Sequence, residues 1–173
     1  MGDRLFKINY QNFIIRNWET GDDRKNASNV ISTVLQEYGL SWEPDNADKD
    51  VLEVEKYYFH RGGEFWVVEL KGEIVGTAAF YPISRGKNAV EIRKMYLLPE
   101  VRGLGLGKFL LKELERNIIS QGFQEIWIET ASVLTEAVQL YEKNGYQPAT
   151  GVETLRCDRV YVKKISPKDK MSL

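Results

Sequence analysis

The chain has 173 residues, the length of one domain, and 43% of them are hydrophobic, enough for a core of its own. Lys and Arg number 24 against 25 Asp and Glu, a net charge of −1, so no global charge favours nucleic acid or an anionic membrane as partner. One cysteine, Cys157, and one histidine, His60, exclude a disulfide framework and a cysteine-based zinc site. We therefore expect one domain over residues 1–173, no bound metal, and a function that depends on local charge.

We expect no targeting element at the start of the chain. Residues 1–10 lack the long apolar core of a signal peptide, and no apolar run reaches membrane-spanning length. Phe6 occupies the position where a myristoylation signal at Gly2 needs Ser or Thr. These features predict a cytoplasmic protein with no membrane partner, and the polar tail, residues 166–173, is expected to fray.

The first half of the chain predicts strands and helices in alternation. FIIRNWE, residues 13–19, is typical of a strand, and the apolar residues that follow have helical spacing up to Gly39. A second helix is predicted over residues 48–60, ending at the Arg-Gly-Gly turn. EFWVVELKGEIVGTAAFYPI then predicts a β-hairpin that turns at Lys71 and Gly72, and AVEIRKMYLL predicts a third strand before Pro99.

The second half continues as helix, strand, helix and two strands. Apolar residues from Leu106 to Ile118 mark a helix that stops near Gly122, and EIWIETA follows as a strand. Strand-helix-strand order predicts that this strand lies parallel to AVEIRKMYLL. LTEAVQLYEKN predicts a last helix that ends at Gly145, before the closing strands YQPATG and CDRVYVKKI. The fold class is mixed α/β, with a mostly antiparallel N-terminal part and a parallel central pair.

The segment RGLGLGK, residues 102–108, places three glycines directly before a helix. Glycine permits positive φ and close approach of a ligand to the backbone, and the first turn of a helix offers N–H groups without intrahelical acceptors. These properties favour a site for a diphosphate, although a plain glycine-rich turn is the alternative. A P-loop is excluded because Lys108 precedes Phe109, and a dinucleotide fingerprint is excluded because Lys108 and Leu110 stand where it needs a third glycine.

The remaining pattern is R-x-x-G-x-G, formed by Arg102, Gly105 and Gly107. Together with EIRKMYLLPEV before it, and IWIETA and LTEAVQLYEKNGY after it, this segment resembles the GNAT N-acetyltransferase superfamily over about residues 74–146. The resemblance implies a GNAT-like domain whose central parallel strands are splayed to admit coenzyme A, with acetyl-CoA as acyl donor.

The resemblance also implies roles for particular residues. The pyrophosphate of coenzyme A would be held by the loop residues Arg102, Gly103, Leu104, Gly105, Leu106, Gly107 and Lys108. The main chain of Met95 and Leu97 would pair with the pantetheine arm, and Leu134 stands where one common pattern of the family has Asn.

Acetyl transfer to an amine needs the neutral amine, and an alkyl ammonium with a pKa near 10.4 has to lose a proton first. Tyr141 matches the helix tyrosine of the family and is the candidate acid for the leaving thiolate; the alternative is a core aromatic. Strand alternation places Glu91, Met95 and Leu97 on one face, which makes Glu91 the candidate base, directly or through water, with Glu129 in reserve. The alternative for Glu91 is a surface charge pattern. The Leu97 amide would contact the thioester oxygen.

The sequence defines the acceptor less closely than the acyl donor. Residues 42–55 hold six acidic residues against one lysine, which favours a cationic amine, although a solvated surface is the alternative. We expect an acetyl-CoA-dependent N-acetyltransferase acting on a small-molecule amine or an amino-terminal peptide group. A non-catalytic acyl-CoA-binding module is the alternative, and acyl-chain preference and oligomeric state, including a homodimer, stay open.

Overall fold

The computed structural model describes residues 6–19 and 21–172, so the predictions about the first five residues and the last residue of the tail lie outside the described part. The strands within this part are β1 Lys7–Tyr10, β2 Phe13–Asn17, β3 Glu64–Leu70, β4 Glu73–Ile83, β5 Ala89–Leu97, β6 Glu125–Thr130, β7 Gln147–Ala149 and β8 Arg159–Lys164. The helices are α1 Asp22–Glu37, α2 Lys49–Leu52, α3 Val54–Tyr57, α4 Leu106–Ser120, α5 Thr135–Lys143 and α6 Pro167–Met171. Short 3-10 turns lie at Phe59–Arg61 and Pro99–Val101.

The strands form one sheet in the order β1-β2-β3-β4-β5-β6-β8-β7. Within the described residues β5 and β6 are the parallel neighbours, and the other neighbouring strands are antiparallel. The mixed α/β class and the central parallel pair are thus confirmed. The two closing strands also pair as predicted, but β8 lies between β6 and β7.

Each face of the sheet is covered by its own hydrophobic cluster, because alternate strand residues point to opposite sides. In β3, Trp66 and Val68 pack with α4 and α5, whereas Phe65 and Val67 pack with α1 to α3. The apolar stripe of α4 accounts for its position, since Leu110 and its neighbours at helical spacing are fully buried.

The hairpin turn is confirmed, with both central residues in the left-handed region, φ 51° at Lys71 and 82° at Gly72. The predicted continuous helix over residues 48–60 is wrong. The chain there forms α2, α3 and a 3-10 turn, and Glu53 between the two helices has φ −130° and ψ 51°, outside helical geometry.

The tail contains a short helix, α6, that begins at a capping box. The Ser166 side chain accepts a hydrogen bond from the Asp169 N–H, and the Asp169 carboxylate accepts one from the Ser166 N–H. Fraying of this tail stays a prediction.

A β-bulge in β5 overturns the predicted alternation of this strand. Thr77 pairs with Tyr96 and Ala79 with Arg93, so Lys94 and Met95 together stand opposite the single residue between Thr77 and Ala79. Lys94 has φ 50°, and the additional residue reverses which face later side chains occupy.

This reversal separates residues that were predicted to share a face. Met95 and Leu97 pack with the α4 cluster. Glu91 instead pairs across the strands with Tyr81, which packs against the α1 cluster. The prediction that Glu91 shares a face with Met95 and Leu97 is therefore wrong.

Candidate active site

A cleft of about 350 Å³ runs from the glycine loop, between β5 and β6, to the loop before β8. It exists because β5 pairs with β6 only from Ala89 to Ile92, and the strands diverge beyond that point. Met95 and Leu97 lie in the unpaired half of β5 and line the cleft. The backbone edge of β5 that faces the cleft is thus available to a bound ligand.

The glycine loop closes one end of this cleft, with Gly103, Gly105, Gly107, Leu106 and Lys108 along its wall. Gly105 precedes α4 with φ 80°, and a Cβ there would lie 2.7 Å from the Tyr10 hydroxyl oxygen. A Cβ on Gly107 would meet ordinary contacts, the nearest at 3.6 Å.

The two glycines therefore have different roles. Gly105 is required by backbone conformation, whereas the absence of a side chain at Gly107 keeps the cleft wide. Leu104 lies beside them, 48% exposed, and its carbonyl accepts a hydrogen bond from the Tyr10 hydroxyl at 2.9 Å.

The backbone at the start of α4 suits an anion. The first backbone hydrogen bond of the helix is made by Phe109, whose N–H donates to the Gly105 carbonyl at 3.1 Å. The N–H groups of residues 105–108 precede this bond and have no intrahelical acceptor. Together with the helix dipole and Lys108 they form a positive end that fits a pyrophosphate.

Arg102 is held by protein groups in this structure. Its Nη1 and Nη2 donate to the two carboxylate oxygens of Glu37, both at 2.8 Å, and its Nε donates to the Leu97 carbonyl at 3.0 Å. This pairing raises the pKa of Arg102 further, with the Glu37 hydrogen bond as the largest cause. The side chain thus links α1 to β5 and positions the glycine loop.

Tyr141 lies on α5, lines the cleft and is 4% exposed. Its ring packs edge-on against Tyr146 at 5.9 Å, and its hydroxyl has no hydrogen-bond partner among the described residues. Burial, and then the neighbouring Tyr96 and Cys157, raise the pKa of Tyr141 above its usual value. The phenol is protonated at neutral pH and can donate a proton.

Two further residues with a proton-bearing group, Tyr96 and Cys157, line the cleft together with Tyr141. Burial raises the pKa of Tyr96 to about 12. Burial, and then the charge of Glu129, raise the pKa of the Cys157 thiol to about 11. Neither residue was proposed from the sequence, because they come from β5 and from the loop before β8, and no spacing relates them.

The two candidate bases are both engaged by protein groups. Glu91 is 6% exposed, does not line the cleft, and accepts a hydrogen bond from Arg93 Nη1 at 2.9 Å. Burial raises the pKa of Glu91, partly offset by the charge of Arg93. Glu129 lines the cleft and accepts from Arg85 and from the N–H groups of Glu153 and Thr154, at 2.9–3.2 Å.

Asp48 is fully buried between two cations. It accepts from Lys94 Nζ at 2.8 Å and from Arg156 at 2.7 and 2.9 Å. Burial alone would raise the pKa of Asp48, but these hydrogen bonds and charges outweigh it and lower the pKa to about 2. Asp48 thus joins α2, the bulge of β5 and the β7–β8 loop.

The acidic segment therefore has less free charge than predicted. Asp48 is neutralised by its two cations, and Asp50 accepts from the Tyr58 hydroxyl and lies 3.5 Å from Lys94 Nζ and 3.6 Å from Arg93 Nε. The expectation that these two carboxylates attract a cationic acceptor is corrected, because internal cations already balance them.

No cluster of metal-ligating side chains is present within residues 6–19 and 21–172. No helix in this part of the chain has both the length and the apolar content that crossing a bilayer requires.

Comparison with known proteins gives the same classification as the fold. Residues 31–146 match the acetyltransferase (GNAT) family model. The uncharacterized N-acetyltransferase YjgM of Escherichia coli strain K12 is 35% identical over 131 residues, 74% of this chain and 78% of its own length. A GNAT acetyltransferase from Staphylococcus aureus Mu50 superposes with TM-score 0.82 at 20% identity, covering 89% of this chain and 99% of its own. The PaiA N-acetyltransferase of Thermoplasma acidophilum, solved with coenzyme A, superposes with TM-score 0.68 at 19% identity, covering 88% of this chain and 99% of its own.

The mixed sheet with its diverging parallel pair matches solved GNAT structures in fold. The chain belongs to the GNAT acetyltransferase family. Membership supports transfer of an acyl group from an acyl-coenzyme A to an amine as its chemistry.

Proposed function

We propose that the protein is an acetyl-CoA-dependent N-acetyltransferase whose acceptor is a small amine. The observation that carries this proposal is the continuous cleft, which joins the anion-binding end of α4 to the buried phenol of Tyr141. The coenzyme A seen with the Thermoplasma acidophilum protein of the same fold supports the choice of donor.

Within the cleft, the amides of residues 103–108 hold the pyrophosphate, and Arg102 keeps that loop against α1. The backbone of Met95 and Leu97 pairs with the pantetheine arm, because β6 has diverged from this part of β5. The bound acetyl-CoA supplies an activated thioester. Since the Leu97 carbonyl already accepts from Arg102, its N–H is the group left for the ligand.

Proton transfer is assigned to two side chains. Tyr141 donates to the leaving sulfur, for which its raised pKa keeps it protonated. Glu91 takes the amine proton through water, because it does not line the cleft itself, and Glu129 is the reserve.

Release of free thiol from acetyl-CoA, measured across amines, amino acids and peptides, tests the proposal. An enzyme shows acceptor-dependent release, and mass spectrometry finds the acetylated product. Binding of coenzyme A without release for any acceptor would instead support a non-catalytic acyl-CoA-binding module.

A further inference from the structure

A second cleft of about 400 Å³ lies between α2, the 3-10 turn at Phe59–Arg61 and the β7–β8 loop. Within the described residues, Arg93 is the residue that lines both clefts. The second cleft therefore adjoins the first at Arg93.

Two guanidinium groups lie over one aromatic ring in this cleft. The Cζ atoms of Arg61 and Arg93 are 4.2 and 5.1 Å from the centroid of the Tyr81 ring. Arg61 is exposed, makes one long hydrogen bond to the Pro82 carbonyl at 3.5 Å, and has no carboxylate partner among the described residues. Its charge is fixed in place by the ring and is free to bind an anion.

The inner wall carries a carboxylate whose hydrogen-bonding capacity is only partly used. Asp50 is 5% exposed; its Oδ1 makes no hydrogen bond but lies 3.5 Å from Lys94 Nζ, and its Oδ2 lies 3.6 Å from Arg93 Nε. The carboxylate can accept a hydrogen bond from an amine, and the positive charges of Lys94 and Arg93 offset the preference that a carboxylate alone would give to the ammonium form of that amine. The inner end thus suits a nucleophilic nitrogen.

The charges along the second cleft balance. Three cationic and three acidic side chains line it: Arg61, Arg93 and Lys49, and Glu43, Asp50 and Glu153. A polyamine would meet the two guanidinium groups, and a dianionic phosphate would meet the three carboxylates. An amine that carries one carboxylate matches both ends of the cleft without excess charge.

We propose that the second cleft binds the acceptor, and that the acceptor is a small amine bearing a carboxylate, as in an amino acid. Arg61 holds the carboxylate at the rim, and the amine lies beside Asp50 and Arg93, on the side that adjoins the first cleft. This assignment rests on the proposed function. In the transfer, the nitrogen forms a bond to the acyl carbon as the carbon–sulfur bond breaks, and the proton lost by nitrogen balances the one gained by sulfur.

The test compares leucine, phenylalanine, methionine and glutamate with their carboxamides, their decarboxylated amines and spermidine, with thiol release as the readout. We expect kcat/KM for at least one amino acid to exceed that of its carboxamide tenfold or more. Arg61→Gln should raise the KM for that amino acid at least tenfold, and leave kcat and the KM for acetyl-CoA within twofold. Arg61→Lys should recover part of the loss.

Arg116→Gln is the matched control, because Arg116 is an exposed arginine on α4 that lines neither cleft. Better turnover of carboxamides or spermidine, or an equal rise in KM for acids and amides in Arg61→Gln, would overturn the carboxylate assignment and leave the acetyltransferase intact. Absence of release with every amine would refute the proposed function. Calorimetric titration of the amino acids into the coenzyme A complex would then decide the cleft by itself.

Discussion

The position of Tyr141 allows both roles that the sequence left as alternatives, since its ring belongs to the core cluster and the residue also lines the cleft. Tyr141→Phe keeps the ring and removes the hydroxyl, so we expect the fold to persist while kcat falls about 100-fold, in the range of one positioned proton donor. Affinity for coenzyme A should change little. Single-turnover kinetics measures the chemical step directly.

Tyr146→Phe is the matched control for this experiment. Tyr146 is equally buried and contacts the Tyr141 ring, but its hydroxyl donates to Glu115 at 3.4 Å and it does not line the cleft. The kcat of Tyr146→Phe should stay at the wild-type value. Full turnover in Tyr141→Phe with chemistry rate-limiting would assign protonation of the thiolate to solvent.

The proposed role of Glu91 as the base predicts how activity depends on pH. A base has to be ionised, so activity should fall as pH decreases through the pKa of Glu91, which burial raises above its usual value near 4.5. Glu91→Gln should lower kcat and remove this acidic limb, leaving the alkaline limb in place. The pH profile of Glu129→Gln discriminates the reserve base, because loss of the acidic limb in that variant alone would transfer the role to Glu129.

At the scale of elements, Asp48 links α2, the bulge of β5 and the β7–β8 loop beside the first cleft, which Lys94 and Arg156 line. Asp48→Asn removes the carboxylate that neutralises the buried Lys94 and the half-buried Arg156, so we expect the free energy of unfolding at pH 7 to fall by about 3–5 kcal/mol. The measurement is urea unfolding. Asp45→Asn, at an exposed position in the same segment, is the control and should change it by less than about 0.5 kcal/mol.

The same carboxylate gives a pH signature. Its pKa is about 2 when folded and near 3.9 when unfolded. Its stabilising contribution is therefore present above pH 4 and is lost as pH falls toward 2. This difference in the pKa of Asp48 contributes about 2–3 kcal/mol to the free energy of unfolding, at 1.36 kcal/mol per pKa unit. The difference between wild type and Asp48→Asn should shrink over this range; a constant difference would show that the carboxylate is not preferentially ionised in the folded protein.

Elements with local signals were predictable from the sequence. The helical spacing in α1 and α4 and the Lys71-Gly72 turn depend on neighbouring residues, and each was confirmed. The bulge at Lys94 was not predictable, because a lysine at positive φ carries no local signal and is held there by an ion pair to Asp48, 46 residues away. That one irregularity puts Met95 and Leu97 on the sheet face opposite to that of Glu91.

At the scale of the whole molecule, the two clefts differ in how far the sequence predicted them. The first contains a contiguous glycine motif, so its anion-binding end could be located. The second is assembled from α2, β4, β5 and the β7–β8 loop. Its defining group, Arg61 and Arg93 over Tyr81, joins residues from three separate segments, and no spacing rule relates them.

Occupancy of the first cleft should stabilise the whole fold, because coenzyme A would contact α4, β5 and the glycine loop of the native state alone. At a ligand concentration of 100 times Kd, the linkage is about 2.7 kcal/mol, which raises Tm by roughly 5–10 °C for a protein of this size. Scanning calorimetry with and without coenzyme A measures this shift.

Gly107→Val should abolish the shift in Tm on coenzyme A binding, with little change in the Tm of the free protein. A Cβ at this position meets ordinary contacts at 3.6 Å, so that only the cleft narrows. Gly105 is unsuitable for this purpose, because φ 80° would add backbone strain to any loss of binding. An undiminished shift in Gly107→Val would place the diphosphate away from the start of α4.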